Sequence, residues 1–458
     1  QRFIELLPQQ QCLGHSGVTL GHEQTKHLQE AGGTFCSSKP EVFAFLGDLF
    51  DELAQAFPYA RHIHIGGDEF AHGFAKCPQC KARADEIGKD GLYAEHIMKL
   101  HKMLADRQRG MMIWWHEQGF TESAADKSKR LDAKTRIELA KDIVIFDWHY
   151  GNQRDYPSLD RLLKLGFSET WATPAITRYY SGNDDWLDTF GNIQGFMKAA
   201  LRRKVPGQCT CTWVHGIWGG RNLFELNLYG LLFSAECSWN ALASSDADFR
   251  RKFAAHWFGL EGENLDQEAL QAIHAPFGER KEQKFWRDSR ALEPILGEPP
   301  KDTAKRLKEN PALVDDAKSL LTFCDRADAV LDKWAKQAKR NKATLAFLKH
   351  DVHIHQAAAR RILCLDAVLR WQEKAKSQPL GAAPKDVIEP LVALVKDYDQ
   401  IEAMFLRSVK EAGGGDCVDK HSWSNTAKGD IWFRARAGRE GVEKLIEALK
   451  QGATTEGL

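Results

Sequence analysis

The stretch His62-Ile63-His64-Ile65-Gly66-Gly67-Asp68-Glu69-Phe70 decides the fold predicted for this chain. Residues 62–65 alternate polar and β-branched side chains, which is typical of a strand with two different faces. Neighbouring side chains on a strand point to opposite faces, so Asp68 and Glu69 face one ligand only if the chain bends at the two glycines. Two acids at the end of a strand, with no Lys or Arg beside them, indicate catalysis. A surface turn is the alternative.

The composition is that of a globular protein without a bulk charge. The 458 residues are 43% hydrophobic and 28% charged, and 63 basic residues balance 63 acidic ones. This balance gives no field that would favour nucleic acid or an anionic membrane, so neither is expected as a partner. No apolar run approaches the roughly 20 residues of a spanning helix, and residues 1–10 show no signal-peptide pattern. The length favours two domains.

Ten cysteines stand at uneven spacing along the chain. In a chain this long they predict reduced thiols and a cytoplasmic setting. The segment Cys77-Pro78-Gln79-Cys80 has metal-like spacing. A structural zinc needs further ligands, and no second pair stands at a persuasive distance, so no metal is expected.

Residues 1–241 alternate short apolar runs with helical stretches, as parallel α/β proteins do. Strands are predicted at 3–8, 62–65, 111–115, 142–148, 166–171 and 208–214. Helices are predicted at 40–57, with a capping box of Ser38 and Glu41, at 92–107 and at 222–239. Four of the strands deliver a Trp or an acid at their carboxyl ends, where a (β/α)8 barrel builds its active site. A TIM-type barrel is therefore predicted.

Residues 242–458 read as an α-helical carboxy-terminal domain. A 4-3 spacing of apolar side chains marks one helix face: Leu313, Ala317, Leu320, Cys324, Ala327, Leu331 and Trp334. Further apolar stripes follow in 345–369, 387–405 and 442–449, separated by breaks rich in Gly and Pro. One hypothesis makes this half a docking module that joins two copies of the chain in a homodimer.

Residues 64–69 match the H-x-G-G-D-E signature of glycoside hydrolase family 20, the β-N-acetylhexosaminidases. Residues 7–15 resemble the loop after the third barrel strand of that family. The form of this loop, Cys77-x-x-Cys80 and the helical carboxy-terminal domain look closest to the hexosaminidase D-like branch. The resemblance covers residues 1–240 well and the helical half only in character.

The resemblance implies an exo-acting enzyme that hydrolyses terminal β-linked GlcNAc or GalNAc with retention and without a cofactor. The 2-acetamido oxygen of the substrate acts as the nucleophile in such substrate-assisted glycosidases. Glu69 would protonate the leaving oxygen and then activate water, while Asp68 would orient the acetamido N–H and stabilise the oxazolinium. The charge of Asp68 would also help keep Glu69 protonated before cleavage.

The resemblance also implies a set of substrate-binding residues. A tryptophan cage would hold the acetamido methyl, a tyrosine would bind the acetamido oxygen, and His15 and Glu117 would contact the sugar. The cage residues are Trp115, Trp148 and Trp213, and the tyrosine is Tyr150, with Tyr179 and Tyr180 as alternatives.

The chain departs from the family in two ways. His215 stands where many members carry a carboxylate that grips O4 and O6 of the sugar, which indicates an altered galacto/gluco preference. The first two barrel strands and the sugar-binding Arg of the first strand are missing, so we expect an amino-terminal truncation of a longer protein. These departures favour one alternative function, a non-hydrolytic glycan-binding protein on the same barrel.

Overall fold

The computed structural model describes residues 4–115, 139–167, 169–176, 186–212, 224–242, 245–274, 295–374, 381–411 and 431–452. Seven strands occur in these ranges: β1 (Gln29–Ala31), β2 (Thr34–Phe35), β3 (His62–His64), β4 (Gly110–Trp115), β5 (Val144–Trp148), β6 (Glu169–Thr173) and β7 (Gly207–Gln208). β1 and β2 form an antiparallel pair. The other five form one parallel sheet in the order of the sequence. The predicted parallel α/β architecture is confirmed.

The strand predicted at residues 3–8 is wrong. Residues 4–8 have no regular structure, and the pairing beside β3 lies further along the chain, with an isolated parallel bridge between Gln9 and His64. Pro8 has no N–H to donate, so it contributes only its carbonyl, which accepts from the His64 N–H at 2.9 Å. The Cys12 N–H then donates to the Ile65 carbonyl at 3.0 Å. The edge of the sheet at β3 is thereby covered by residues 8–12.

The two faces of the parallel sheet carry different side chains, because successive residues alternate. One face holds an aromatic stack, in which the Trp114 ring lies 4.4 Å from His64 and 5.3 Å from Phe146, and Phe146 stacks on Trp171 at 5.1 Å. The opposite face packs against helices in a buried apolar core. Members of that core are Val42, Leu46, Phe50, Ile63, Ile65, Ile97, Leu100, Leu104, Ile113 and Ile145.

The helices of the sheet region are Pro40–Ala56, Pro78–Ala105, Ser158–Lys164 and Trp186–Arg202. The capping box predicted for the first is not formed: Lys39 is the N-cap residue and makes no side-chain cap. Proline at the first helical position needs no N–H partner, so the helix begins there without one. The helix Pro78–Ala105 begins earlier than predicted and is interrupted at Gly88, whose backbone is non-helical.

The carboxy-terminal half is helical, as predicted. Its helices are Leu228–Asn240, Asp246–Lys252, Leu265–His274, Pro300–Glu309, Leu313–Gln337, Lys342–Lys374, Lys385–Glu411 and Ile431–Lys450. All seven predicted apolar positions on Leu313–Gln337 are buried. Arg361 is fully buried and its guanidinium donates to Tyr398 Oη at 3.0 Å, to Thr303 Oγ1 at 3.2 Å and to the Glu298 carbonyl. These bonds satisfy a charge that would otherwise be costly to bury.

The chain divides into two compact units, Gln1–Pro174 with Asn192–Thr210, and Ala175–Gly191 with Cys211–Leu458. The predicted domain boundary at residues 241–242 stays a prediction. Among the described residues, every helix is too short or too polar to cross a membrane.

Candidate active site

The two acids of the quoted stretch converge because the backbone turns sharply after β3. Gly66 and Gly67 have φ of +74° and +91°, and Glu69 itself has φ of +46°. Left-handed backbone is easy for glycine and costly for other residues, and such conformations cluster at functional sites. A Cβ atom at Gly66 would lie 1.7 Å from Gln11 Oε1. Glycine is therefore required at position 66 for its conformation, and a larger residue there would also have to displace the end of the Gln11 side chain.

His15 joins the two acids. Its Nε2 lies 2.9 Å from Glu69 Oε2 and 3.5 Å from Asp68 Oδ2. Hydrogen bonds that the imidazole donates to the carboxylates of Asp68 and Glu69, against the opposing effect of burial, raise the pKa of His15 to about 10. The imidazole is therefore protonated at neutral pH. The structure brings together three of the predicted site residues as one ion cluster at the carboxyl end of β3.

The titration of His15 gives the first prediction. The folded pKa of about 10 lies above the ordinary 6.5. The stabilisation of the folded state by protonated His15 is therefore fully present below pH 6.5 and is lost as the pH rises through about 10. An NMR titration of the ring carbons, assigned with His15→Gln, should place the midpoint near pH 10. A midpoint near 6.5 would contradict the ion cluster.

One carboxylate oxygen of Asp68 accepts no hydrogen bond from the described residues. Its side chain is 14% exposed, and Oδ1 is buried without a hydrogen-bond partner among the described residues. An unsatisfied buried carboxylate oxygen costs free energy. A substrate N–H would satisfy it. Glu69 is more accessible, with 32% of its side chain exposed.

The loop that carries the acids is held from three sides. The Phe70 ring stacks on the buried Tyr93 ring at 4.9 Å. A Cβ atom at Gly14 would lie 2.6 Å from the Asp68 carbonyl oxygen, so the two backbone segments touch. Burial lowers the pKa of His96 to about 4, and the neutral ring donates from Nε2 to the Cys12 carbonyl at 3.0 Å. These contacts fix the His15 segment against the acids.

The buried side chain of His64 supports the bend at Gly66 and Gly67. Burial lowers the pKa of His64 to about 3, so its ring is neutral. Its Nδ1 accepts a hydrogen bond from the Gly66 N–H at 3.1 Å. From sequence this histidine had no role beyond its place in the signature, and the structure assigns it the positioning of the glycine turn.

The glycine turn can be tested with a matched pair of variants. Gly66→Ala introduces a Cβ into left-handed backbone and into Gln11, whereas Gly166→Ala introduces one at φ +80° with open space within 4 Å. Both should lose about 1–2 kcal/mol for the backbone conformation. Only Gly66→Ala should lose more than this and also displace the acids.

Urea unfolding measures the first effect and turnover of an aryl glycoside measures the second. A displacement of about 1 Å at a reacting group costs on the order of 10²-fold in rate. Equal stability and equal turnover of Gly66→Ala and Gly166→Ala would show that the contact with Gln11 does not fix the loop.

Trp148 and Tyr150 lie at the carboxyl end of β5. Their rings are 5.2 Å apart and both side chains are partly exposed. Trp148 is two residues beyond Phe146, so by alternation it shares the face that carries His64. They lie at the same edge of the sheet as Asp68 and Glu69, and their role in substrate binding stays a prediction.

A buried polar network braces the loop after β5. The sequence did not lead us to predict this network. Asp147 is fully buried; it accepts a hydrogen bond from Ser158 Oγ at 2.6 Å and lies 3.1 Å from His149 Nε2. Asn192 Nδ2 donates to the carbonyls of His149 and Gly151 at 2.8 and 3.0 Å. The signal was the alternation of Asp147 and His149 with two aromatic residues, which puts the polar pair on the helix side of the strand.

Trp115 is placed differently from the prediction. It is 3% exposed, belongs to the core between the sheet and the helices, and pairs in register with Asp147. Its ring lies 6.3 Å from that of Phe167. The adjacent Trp114 instead shares the face of His64. Because neighbours on a strand alternate, a difference of one residue exchanges the two tryptophans between the faces.

Five predicted substrate-binding candidates lie outside the described residues: Glu117, Tyr179, Tyr180, Trp213 and His215. Their roles stay predictions.

The cluster of His15, Asp68 and Glu69 also has the donor set of a metal site, with one ligand atom from each within 4.8 Å of the others. A metal ligand must be a neutral imidazole. His15 is protonated up to about pH 10, so a cation would have to displace that proton.

Comparison with known proteins identifies the same segment of the chain. Residues 7–163 match the family model "Glycosyl hydrolase family 20, catalytic domain". Hexosaminidase D of Homo sapiens is 35% identical over 230 residues, which are 44% of this chain and 45% of that protein. A beta-hexosaminidase of Porphyromonas gingivalis is 24% identical over 279 residues, 55% of this chain and 34% of that protein.

The chain thus spans less than half the length of these two relatives. Among solved structures, the chitobiase of Flavobacterium johnsoniae aligns with 97% of this chain and 66% of its own, at 15% identity and a TM-score of 0.34. A score at this level does not establish a shared fold. The resemblance to glycosyl hydrolase family 20 is nevertheless confirmed, on a sequence match that extends over residues 7–163 and includes His15, Asp68 and Glu69.

Proposed function

We propose that this chain carries the catalytic acids of an exo-β-N-acetylhexosaminidase, a glycoside hydrolase that releases terminal β-linked GlcNAc or GalNAc. The observation that carries the proposal is the convergence of two consecutive carboxylates at a strand end, one with a buried free oxygen and one accessible. The family match and the names of the relatives support the same activity.

The two acids have different tasks in this proposal. Glu69 protonates the glycosidic oxygen as the bond from C1 to that oxygen breaks, and the substrate's acetamido oxygen forms a bond to C1 from the other side. Asp68 Oδ1 accepts the acetamido N–H and its charge stabilises the oxazolinium. Glu69 then removes a proton from water, which attacks C1 and opens the ring with net retention.

His15 is the source of the proton for the first step. Its Nε2 and Glu69 Oε2, 2.9 Å apart, hold one proton between them in the free site. Transfer of that proton from His15 to Glu69 leaves a neutral imidazole and a protonated carboxyl, which then gives the proton to the leaving oxygen. His15 also offsets the repulsion between the two carboxylates, which allows them to stay adjacent when the site holds no substrate.

The remaining parts of the proposal concern the fold and the sugar pocket. We assign the five-stranded parallel sheet to a (β/α)8 barrel, because its strands follow the sequence order and the acids lie at their carboxyl ends. Trp148 and Tyr150 would contact the acetamido group. Of the two adjacent tryptophans on β4, Trp114 lies on the same face of the sheet as His64, which is the face that would line the pocket.

Turnover of aryl glycosides tests the activity. The chain should release the chromophore from aryl β-GlcNAc or β-GalNAc and not from the aryl β-glucoside, which has a hydroxyl at C2. Saturable binding of the N-acetylhexosaminides without any release would favour the glycan-binding alternative. Equal turnover of the glucoside would exclude assistance by the 2-acetamido group.

A further inference from the structure

Three cysteine sulfur atoms form a cluster beside the loop that carries the acids. Cys36 follows β2, and Cys77 and Cys80 lie at the start of the helix Pro78–Ala105. Cys36 Sγ lies 3.7 Å from Cys77 Sγ and 3.5 Å from Cys80 Sγ, and all three sulfur atoms lie within 4.8 Å of one another. No metal was expected from the sequence, because Cys77 and Cys80 lacked further ligands. The fold supplies a third thiol, Cys36, from 41 residues before Cys77.

The spacing of the sulfur atoms fits a tetrahedral thiolate site. Zinc–sulfur bonds of about 2.3 Å in a tetrahedron put the sulfur atoms about 3.8 Å apart. A disulfide would require about 2.05 Å and would leave the third cysteine over. Cys36 and Cys80 are fully buried and Cys77 is partly exposed, which leaves one side of the cluster open to an entering ion.

The surroundings of the cluster favour a cation bound to thiolates. Cys77 is the N-cap of its helix and accepts the Cys80 N–H at 3.3 Å, so two of the sulfur atoms lie at the positive end of the helix dipole. Glu30 Oε1 accepts from the Cys77 N–H at 3.0 Å, while its Oε2 is buried with no hydrogen-bond partner among the described residues. That oxygen is an acceptor beside the cluster that a metal ion or its bound water would satisfy.

We propose that Cys36, Cys77 and Cys80 bind one Zn²⁺ as three thiolates, with a water molecule in the fourth position. Binding releases the three thiol protons to solvent and changes no oxidation state. The ion joins the β1–β2 hairpin to the start of the helix Pro78–Ala105. It thereby anchors the carboxyl end of the segment 66–77, which contains Asp68 and Glu69. The site is structural, and its existence does not depend on the proposed glycosidase activity.

Metal content and cobalt spectroscopy of the full chain test the proposal. Chain purified without chelators and desalted should retain about one zinc per chain by mass spectrometry of the metal. Substitution by Co²⁺ should give thiolate-to-cobalt charge-transfer bands in the near ultraviolet, which binding at His15, Asp68 and Glu69 cannot give.

Cys77→Ser is the informative variant, because serine is a good N-cap and keeps the helix start while removing one ligand. Its zinc affinity should fall by more than the roughly 10- to 100-fold that loss of an outer partner costs. Cys364→Ala, at another buried thiol, is the matched control and should bind zinc as the native chain does.

Three results would overturn the proposal. They are a native chain with neither zinc nor the cobalt bands, a Cys77→Ser chain that binds as tightly as the native one, and a disulfide among the three cysteines in differential alkylation. Activity is not the readout, so failure here leaves the proposed function standing.

Discussion

Glu69→Gln should lower kcat/KM for an aryl β-N-acetylhexosaminide by about 10²- to 10⁴-fold, the usual contribution of a general acid or base. Glutamine keeps the shape of the side chain and removes its proton. The loss should be smaller for aryl groups that leave easily, because these need less protonation. Turnover of a series of aryl glycosides measures this dependence.

The matched control for Glu69→Gln is Glu95→Gln. Glu95 is a partly exposed carboxylate paired with Arg83 on the helix Pro78–Ala105, so its loss should leave turnover unchanged. A loss in Glu69→Gln that is uniform across all leaving groups would contradict its assignment as the proton donor.

Asp68→Asn should lower kcat by about 10²- to 10³-fold, as removal of one preorganised electrostatic group does. The interaction with positive charge on the oxazolinium develops only in the transition state, so kcat should fall while KM changes little. Steady-state kinetics on the same aryl glycosides separate the two parameters.

Asp142→Asn is the control for this second variant, since Asp142 also faces a histidine, with His101 Nε2 at 2.9 Å, but is exposed and outside the site. It should behave as the native chain. A rise in KM with unchanged kcat in Asp68→Asn would mean that Asp68 only binds the ground state.

The bend that brings Asp68 and Glu69 together could be predicted from nine residues, because the geometry of the strand end is local. Alternation on a strand demands a bend at Gly66-Gly67 before two adjacent acids can share a ligand, and the structure has that bend. His15 came from the family resemblance alone, because no local pattern shows that residue 15 meets residues 68 and 69. Its raised pKa is a property of the assembled cluster.

Other features depend on register or on long-range contacts, which a local pattern does not specify. The resemblance pointed to Trp115, and only the strand register shows that Trp114, its neighbour, has the face of His64. Cys36 is distant in sequence from Cys77, so the three-thiol cluster emerges only with the fold. The strand predicted at residues 3–8 is wrong because apolar character alone does not specify pairing, and Pro8 has no N–H to donate to a neighbouring strand.

The most direct test of the account is the dependence of hydrolysis on the substrate's own acyl group. The substrates are aryl β-glycosides whose 2-acetamido methyl carries none, one, two or three fluorine atoms, which progressively weaken the carbonyl oxygen as a nucleophile. If that oxygen attacks C1 while Asp68 holds the N–H, kcat/KM should fall steeply and monotonically along the series. A rate that does not change with fluorination would contradict the account, because the nucleophile would then have to come from elsewhere.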